Sequence, residues 1–247
     1  MVIWLVFLIV WLFVILVIRL LISIRMLLLI NKPLGLSSFD IIRILRRTKG
    51  IRKIGHAGTL DPLATGLMIL ATDQDTKKLT QLTGLDKTYE CEVEFGKRST
   101  SGDADGVITQ GVLRDVSHDE FEKTLKNFVG EIEQRPPQTS AIKIGGKRAY
   151  ALAREGIKVE MPTRIVRVDS IEILEWAWPR LRLRIACGKG TYIRSIAIDL
   201  GEAFGTGAYL TGLTRTAIGE FLLENAEELP EEEVAKFTGR FGGSNKL

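Results

Sequence analysis

Residues 88–95 read TYECEVEF, and this stretch restricts the fold more than any other. Tyr89, Cys91, Val93 and Phe95 point one way, and Glu90, Glu92 and Glu94 the other. A period of two places successive side chains on opposite faces of a pleated strand, so this segment needs a core beneath it and water above it. LRLRIAC, residues 181–187, repeats the pattern, with Leu181, Leu183, Ile185 and Cys187 on one face and Arg182 and Arg184 on the other. Such two-faced strands belong to antiparallel sheets with one covered side. LLLIN and residues 163–175 also read as strands, and LMILAT is an apolar run.

Helices fall between these segments. Ser37 and Asp40 form a capping-box pattern ahead of an apolar stripe of Ile41, Ile42, Ile44 and Leu45, and Gly50 ends the helix. Its opposite face holds Arg43, Arg46 and Arg47. A second helix runs from Ser117, with Glu120, to Val129, and TYIRSIAIDLGEAFG gives a third. Strands and helices are mixed without a regular βαβ beat, which predicts an α+β fold rather than a doubly wound one.

Hydrophobic residues make up 45% and charged residues 26% of the chain, which places it among globular proteins. Cys91 and Cys187 lie far apart and fit no metal spacing; they read as buried thiols in a reducing compartment. With two histidines, a His-rich metal site is excluded. The net charge of +4 hides segregation along the chain. Residues 32–53, 130–167 and 180–194 are basic, while residues 220–233 carry seven Glu and no base. Separate basic segments point to a polyanionic partner, most simply a nucleic acid, although each alone is equally a solvated face.

Residues 1–25 stand apart. Met1 to Ile18 holds no charge, and such a run in a helix spans about 27 Å, close to a bilayer core. Arg19 and Arg25 follow it, which would leave the body of the protein in the cytoplasm. Two readings stay open: a membrane helix, or a mis-assigned start ahead of Met26.

Residues 55–66 read GHAGTLDPLATG. Asp61 before Pro62 is either a helix N-cap or a reactive carboxylate on a rigid loop. The residue before a proline is biased to extended geometry, and glycines let a backbone pass close to a neighbour. Three further segments accompany this one in order: NKPLGLSS at 31–38, KTY at 87–89 and GKGTYIRS at 188–195. Residues 130–156 are basic and rich in turns. GKGT lacks the spacing of a phosphate-binding P-loop, so a nucleotide triphosphatase is rejected.

Together these motifs resemble the TruB family of tRNA pseudouridine synthases, over residues 26 to about 220. The resemblance implies a catalytic domain with a mixed, mainly antiparallel sheet flanked by helices, spanning residues 26–225. It implies isomerisation of the T-loop uridine, position 55 of tRNA: the uracil leaves its ribose, rotates and rejoins through carbon. No metal, nucleotide or redox cofactor takes part. Asp61 matches the catalytic aspartate, which attacks base or sugar. Arg194 matches the cation that keeps it ionised, Tyr89 the tyrosine that packs on the target base, and Tyr192 a tyrosine that orders the aspartate–arginine pair. Tyr89 also lies on the apolar face of its strand, where a tyrosine equally serves the core. Lys32 supports the pocket through backbone contacts, Leu213 lies against the uracil, and His56 fills the gap left by the flipped base. Residues 130–156 match a thumb-like RNA-gripping insertion, with Lys143, Lys147, Arg148 and Arg154 on phosphates.

Residues 226–247 read as a short acidic and then flexible tail without a full PUA domain, so recognition would rest on the T-arm alone. A monomer acting in the cytoplasm is expected, tethered to a membrane only if residues 1–25 are an anchor. The competing reading is a tRNA-binding folding chaperone in which catalysis is secondary or absent.

Overall fold

The computed structural model describes residues 27–140, 142–157 and 159–238. In chain order, β1 (Leu27–Lys32) leads into α1 (Ser38–Lys49), then β2 (Ile54–His56), β3 (Ala64–Thr72) and the short α2 (Leu79–Thr83). Next come β4 (Lys87–Phe95), β5 (Lys97–Ser99), β6 (Ile108–Gln110), α3 (His118–Leu125) and β7 (Gly130–Gln134). The hairpin β8 (Lys143–Ile144) and β9 (Lys147–Arg148) precedes α4 (Ala149–Arg154). The chain continues through β10 (Arg164–Ala177), β11 (Arg180–Cys187), α5 (Ile193–Ala203), β12 (Ala208–Ile218), β13 (Phe221–Leu222) and α6 (Glu231–Thr238).

One nine-stranded sheet organises these elements in the order β1-β3-β12-β4-β11-β10-β7, with β2 on β3 and β13 on β12. Every pairing in it is antiparallel except β3 with β12. The sheet is therefore mixed and mainly antiparallel, and the fold is α+β, as expected. The alternation in β4 and β11 sets the register: Tyr89 faces Ile185, Cys91 faces Leu183 and Val93 faces Leu181, all buried. Against them pack Ile41, Ile44 and Leu45 of α1 and Ile196 and Leu200 of α5. Each fully buried aliphatic side chain contributes about 1.5–3 kcal/mol. Phe95, Phe121, Trp178 and Phe204 close one end of this core, with the Phe121 and Phe204 rings stacked 5.2 Å apart.

Local signals account for the helices. Ser37 and Asp40 form the complete capping box of α1, and Gly50 ends it at φ 67°. Ser117 caps α3 by accepting from the Glu120 amide. That helix is shorter than expected: its last turn tightens into a 3₁₀ segment at Lys126–Phe128 before β7.

Three expectations are revised. Glu94 is buried, not solvated like Glu90 and Glu92, because the Tyr209 hydroxyl and Lys97 Nζ both donate to it at 2.8 Å. Residues 130–134, expected to be rich in turns, form the sheet's edge strand against β10. The acidic tail is partly helical, and it docks on α1 through Glu233–Arg47 at 3.1 Å and Glu227–Lys49 at 2.9 Å. Among the described residues, no helix is long and apolar enough to cross a membrane. Residues 1–25, with their two open readings, lie outside the described residues.

Candidate active site

Asp61 lies on the loop between β2 and β3. No helix begins at Pro62; instead the Asp61 carbonyl accepts from the Ala64 amide and a turn leads into β3. The helix-cap reading is thereby set aside. The loop is fixed from three sides. Ser38, at the start of α1, exchanges two hydrogen bonds with the backbone of Leu60, at 2.8 and 3.0 Å. The Gly35 amide donates to the Pro62 carbonyl at 2.9 Å. Lys32 Nζ, fully buried, donates to the carbonyls of Pro33, Leu36 and Pro62 at 2.9, 2.6 and 3.2 Å. Burial, opposed by Asp61 and Asp40 and reinforced by Arg215, lowers the Lys32 pKa to about 8.

The Asp61 carboxylate meets Arg194, in the first turn of α5, with Oδ2 to Nη2 at 2.8 Å. Arg194 is buried and held by several partners at once. It donates to the Ser101 carbonyl at 3.0 Å, to the Thr139 carbonyl at 3.2 Å and to the Thr139 hydroxyl. Its Nε lies 3.5 Å from Asp103 Oδ2. A guanidinium fixed in this way presents one geometry to Asp61. Burial raises the Asp61 pKa, Arg194 pulls it down and Asp103 pushes it up again; the net direction is above the ordinary carboxylate range.

Gln134 positions the segment before α5: its side chain accepts from the Tyr192 amide at 2.8 Å and donates to the Tyr192 carbonyl at 3.0 Å. The Arg164 guanidinium lies 4.9 Å above the Tyr192 ring. A cavity of about 610 Å³ opens here, in the size range of ligand pockets. Asp61, Tyr89, Tyr192, Arg194 and Leu213 all line it, as do Lys87, Arg164, Lys189 and Arg215.

Other expected residues stand elsewhere. Lys32 braces the loop from behind and is not among the lining residues. His56, on β2, is also outside the lining; its Nδ1 is buried without a hydrogen-bond partner, and burial, then Arg215, lowers its pKa. Lys143, Lys147 and Arg148 sit on the exposed β8–β9 hairpin, away from the lining residues. Arg154 ends α4, and its side chain lies outside the described residues. The basic run at 180–184 is not a free cationic face: Arg182 and Arg184 pair with Glu90, and Arg184 also with Glu172.

Sequence reasoning missed Asp103, Thr139, Gln134 and Arg215. Asp103 stood in SGDADG, a turn-forming cluster, and Arg215 follows Leu213 by one strand period. Neither signal says which distant residue the side chain will meet.

The sequence from residue 46 to 193 matches the model of the TruB family pseudouridylate synthase N-terminal domain. The tRNA pseudouridine synthase B of Dehalococcoides mccartyi is 45% identical over 215 residues, covering 87% of this chain and 72% of that protein. That of Bacteroides fragilis is 45% identical over 205 residues, covering 78% and 86%. Among solved structures, a chain of a Cbf5-Nop10-Gar1 complex superposes with a TM-score of 0.65 at 26% identity, covering 88% of this chain and 56% of that one. A chain of an H/ACA RNP bound to a substrate RNA containing 2'-deoxyuridine gives the same TM-score at 24% identity, covering 93% and 58%, and speaks for the fold. This chain spans little more than half the length of those two structures' chains.

Proposed function

This chain belongs to the TruB family of pseudouridylate synthases, and on that premise we propose that it converts the T-loop uridine, position 55 of tRNA, into pseudouridine. The observation that carries this reading is the Asp61–Arg194 pair at the wall of a cavity able to hold a nucleoside. Breaking the bond between ribose and uracil separates charge, and a fixed carboxylate at the reacting centre can attack and form a covalent intermediate. Arg194 favours the ionised form of Asp61 and fixes its rotamer. Tyr89 and Leu213 offer an aromatic and an aliphatic wall to an extruded base, and stacking contributes about 1–3 kcal/mol per base. Tyr192, held by Gln134 and Arg164, closes the side next to Arg194. Flipping the base costs a few kcal/mol, and His56, neutral on its strand, is the side chain proposed to fill the vacated place.

The exposed β8–β9 hairpin, with Lys143, Lys147 and Arg148, together with Arg154 of α4, is proposed to grip the T-arm backbone. We further read the protein as a monomer working in the cytoplasm without a metal or organic cofactor. A chaperone role would use the same basic hairpin but would not need the buried guanidinium trained on Asp61.

Rejoining uracil through carbon expels the hydrogen at the bonding carbon. A T-arm stem-loop carrying tritium at carbon 5 of the target uridine should therefore release label to water. The same label placed on a stem uridine should be retained. Equal release from both positions would contradict the assignment of the target.

A further inference from the structure

Arg215 is the largest fully buried side chain of the described residues, 1% exposed. It sits on β12 between Gly66 of β3 and Tyr89 of β4, its direct partners across the two ladders. Its Nε donates to the Leu67 carbonyl at 2.8 Å and its Nη2 to the Gly58 carbonyl at 3.2 Å. No carboxylate forms an ion pair with it among the described residues. A cation taken out of water with only carbonyl dipoles around it is costly, so the fold keeps it against a considerable penalty. It also lines the cavity that Asp61 and Tyr89 line.

We propose that Arg215 is a positioning residue for Tyr89: its buried guanidinium, directly opposite Tyr89 on the neighbouring strand and lining the same cavity, sets the electrostatic surroundings in which the phenol works. The proposal deepens the functional reading above and rests on Tyr89 serving the isomerisation. Burial pushes the Tyr89 phenol up; the charge of Arg215 opposes this, while Cys187 and Asp61 add to the rise. The charged and titratable groups acting on the ring are therefore Arg215 from β12, Cys187 from β11 and Asp61 from its loop, and Lys87 of the same strand lines the cavity beside it. Arg215 alone among the three groups facing from other elements favours the phenolate, so it makes the hydroxyl a better partner for a proton in transit. Burial lowers both Lys87 and Lys32, and the charge of Arg215 adds to the lowering of each.

The test places a trifluorinated tyrosine, whose phenol is intrinsically more acidic, at position 89 and follows it by fluorine NMR against pH. In Arg215→Gln the titration midpoint should rise by about one unit or more. In Arg215→Lys, which keeps the charge, it should rise less, and this variant serves if the Gln variant does not fold. In steady-state assays on a T-arm stem-loop, Arg215→Gln should lower kcat about tenfold or more with KM little changed. Combined with Tyr89→Phe it should add little to the loss from Tyr89→Phe alone. A midpoint that stays in place in both variants, or a loss that multiplies with Tyr89→Phe, would overturn the proposal and leave Arg215 a structural brace. If wild-type protein converts no uridine at all, the functional reading fails instead, and with it this inference.

Discussion

At Asp61 three influences meet on one carboxyl. Burial and Asp103 disfavour its charge and Arg194 favours it, and the balance leaves its pKa above the ordinary range. An enzyme needing this group ionised loses activity as pH falls through that raised value, so the acid limb of kcat/KM should lie above that of an ordinary aspartate. Removing the cation deletes a downward influence. Arg194→Gln should move the limb to higher pH and lower the plateau about a hundredfold through misplacement of the carboxylate. A pH–rate profile checks both; a plateau loss with an unmoved limb would mean that Arg194 acts through geometry alone. The candidate residues themselves were legible because Asp61, Tyr89, Tyr192 and Arg194 stand in short motifs. Asp103 and Arg215 were not, since a buried charge has no sequence signature apart from the partner it finds in space.

Among the described strands, β3 and β12 form the one parallel pairing of the sheet, and Gly66 makes it feasible. A Cβ at Gly66, whose φ is +100°, would stand 2.4 Å from the Arg215 carbonyl oxygen and 2.8 Å from its amide nitrogen. The sequence suggests a close approach of the backbone to a neighbour at these glycines, and at Gly66 that neighbour is the protein's own strand. Gly66→Ala should cost about 3 kcal/mol or more, a fall in Tm of about 6 °C or more by thermal unfolding. A Tm within a degree or so of wild type would mean that the strand contact yields easily. Strands β4 and β11 and helix α1 were legible from their periodicity and caps. Strand β7 was not: it is a five-residue edge strand with Ile132 its single apolar contact to the core, held mainly by ladder hydrogen bonds to β10. On the β8–β9 hairpin, Lys143→Ala or Lys147→Ala should each reduce the slope of log affinity against log salt by roughly one, measured by T-arm binding. An unchanged slope would take the hairpin off the RNA.

Across the whole molecule, charge is arranged differently from its order in the chain. The cations of 180–184 are laced to glutamates of neighbouring strands, and two on α1 pair with the acidic tail. Within the cavity itself, Lys87, Arg164, Lys189, Arg194 and Arg215 come together from four separate segments. Composition announces a polyanionic partner, but only the sheet order brings these cations around one carboxylate. The most direct measurement compares wild type with Asp61→Asn on one T-arm RNA, reading both carbon-linked uracil and affinity. The account predicts that the variant, folded, forms no pseudouridine and binds within a few-fold of wild type. A variant that still converts the uridine, or that loses binding and conversion equally, would contradict it.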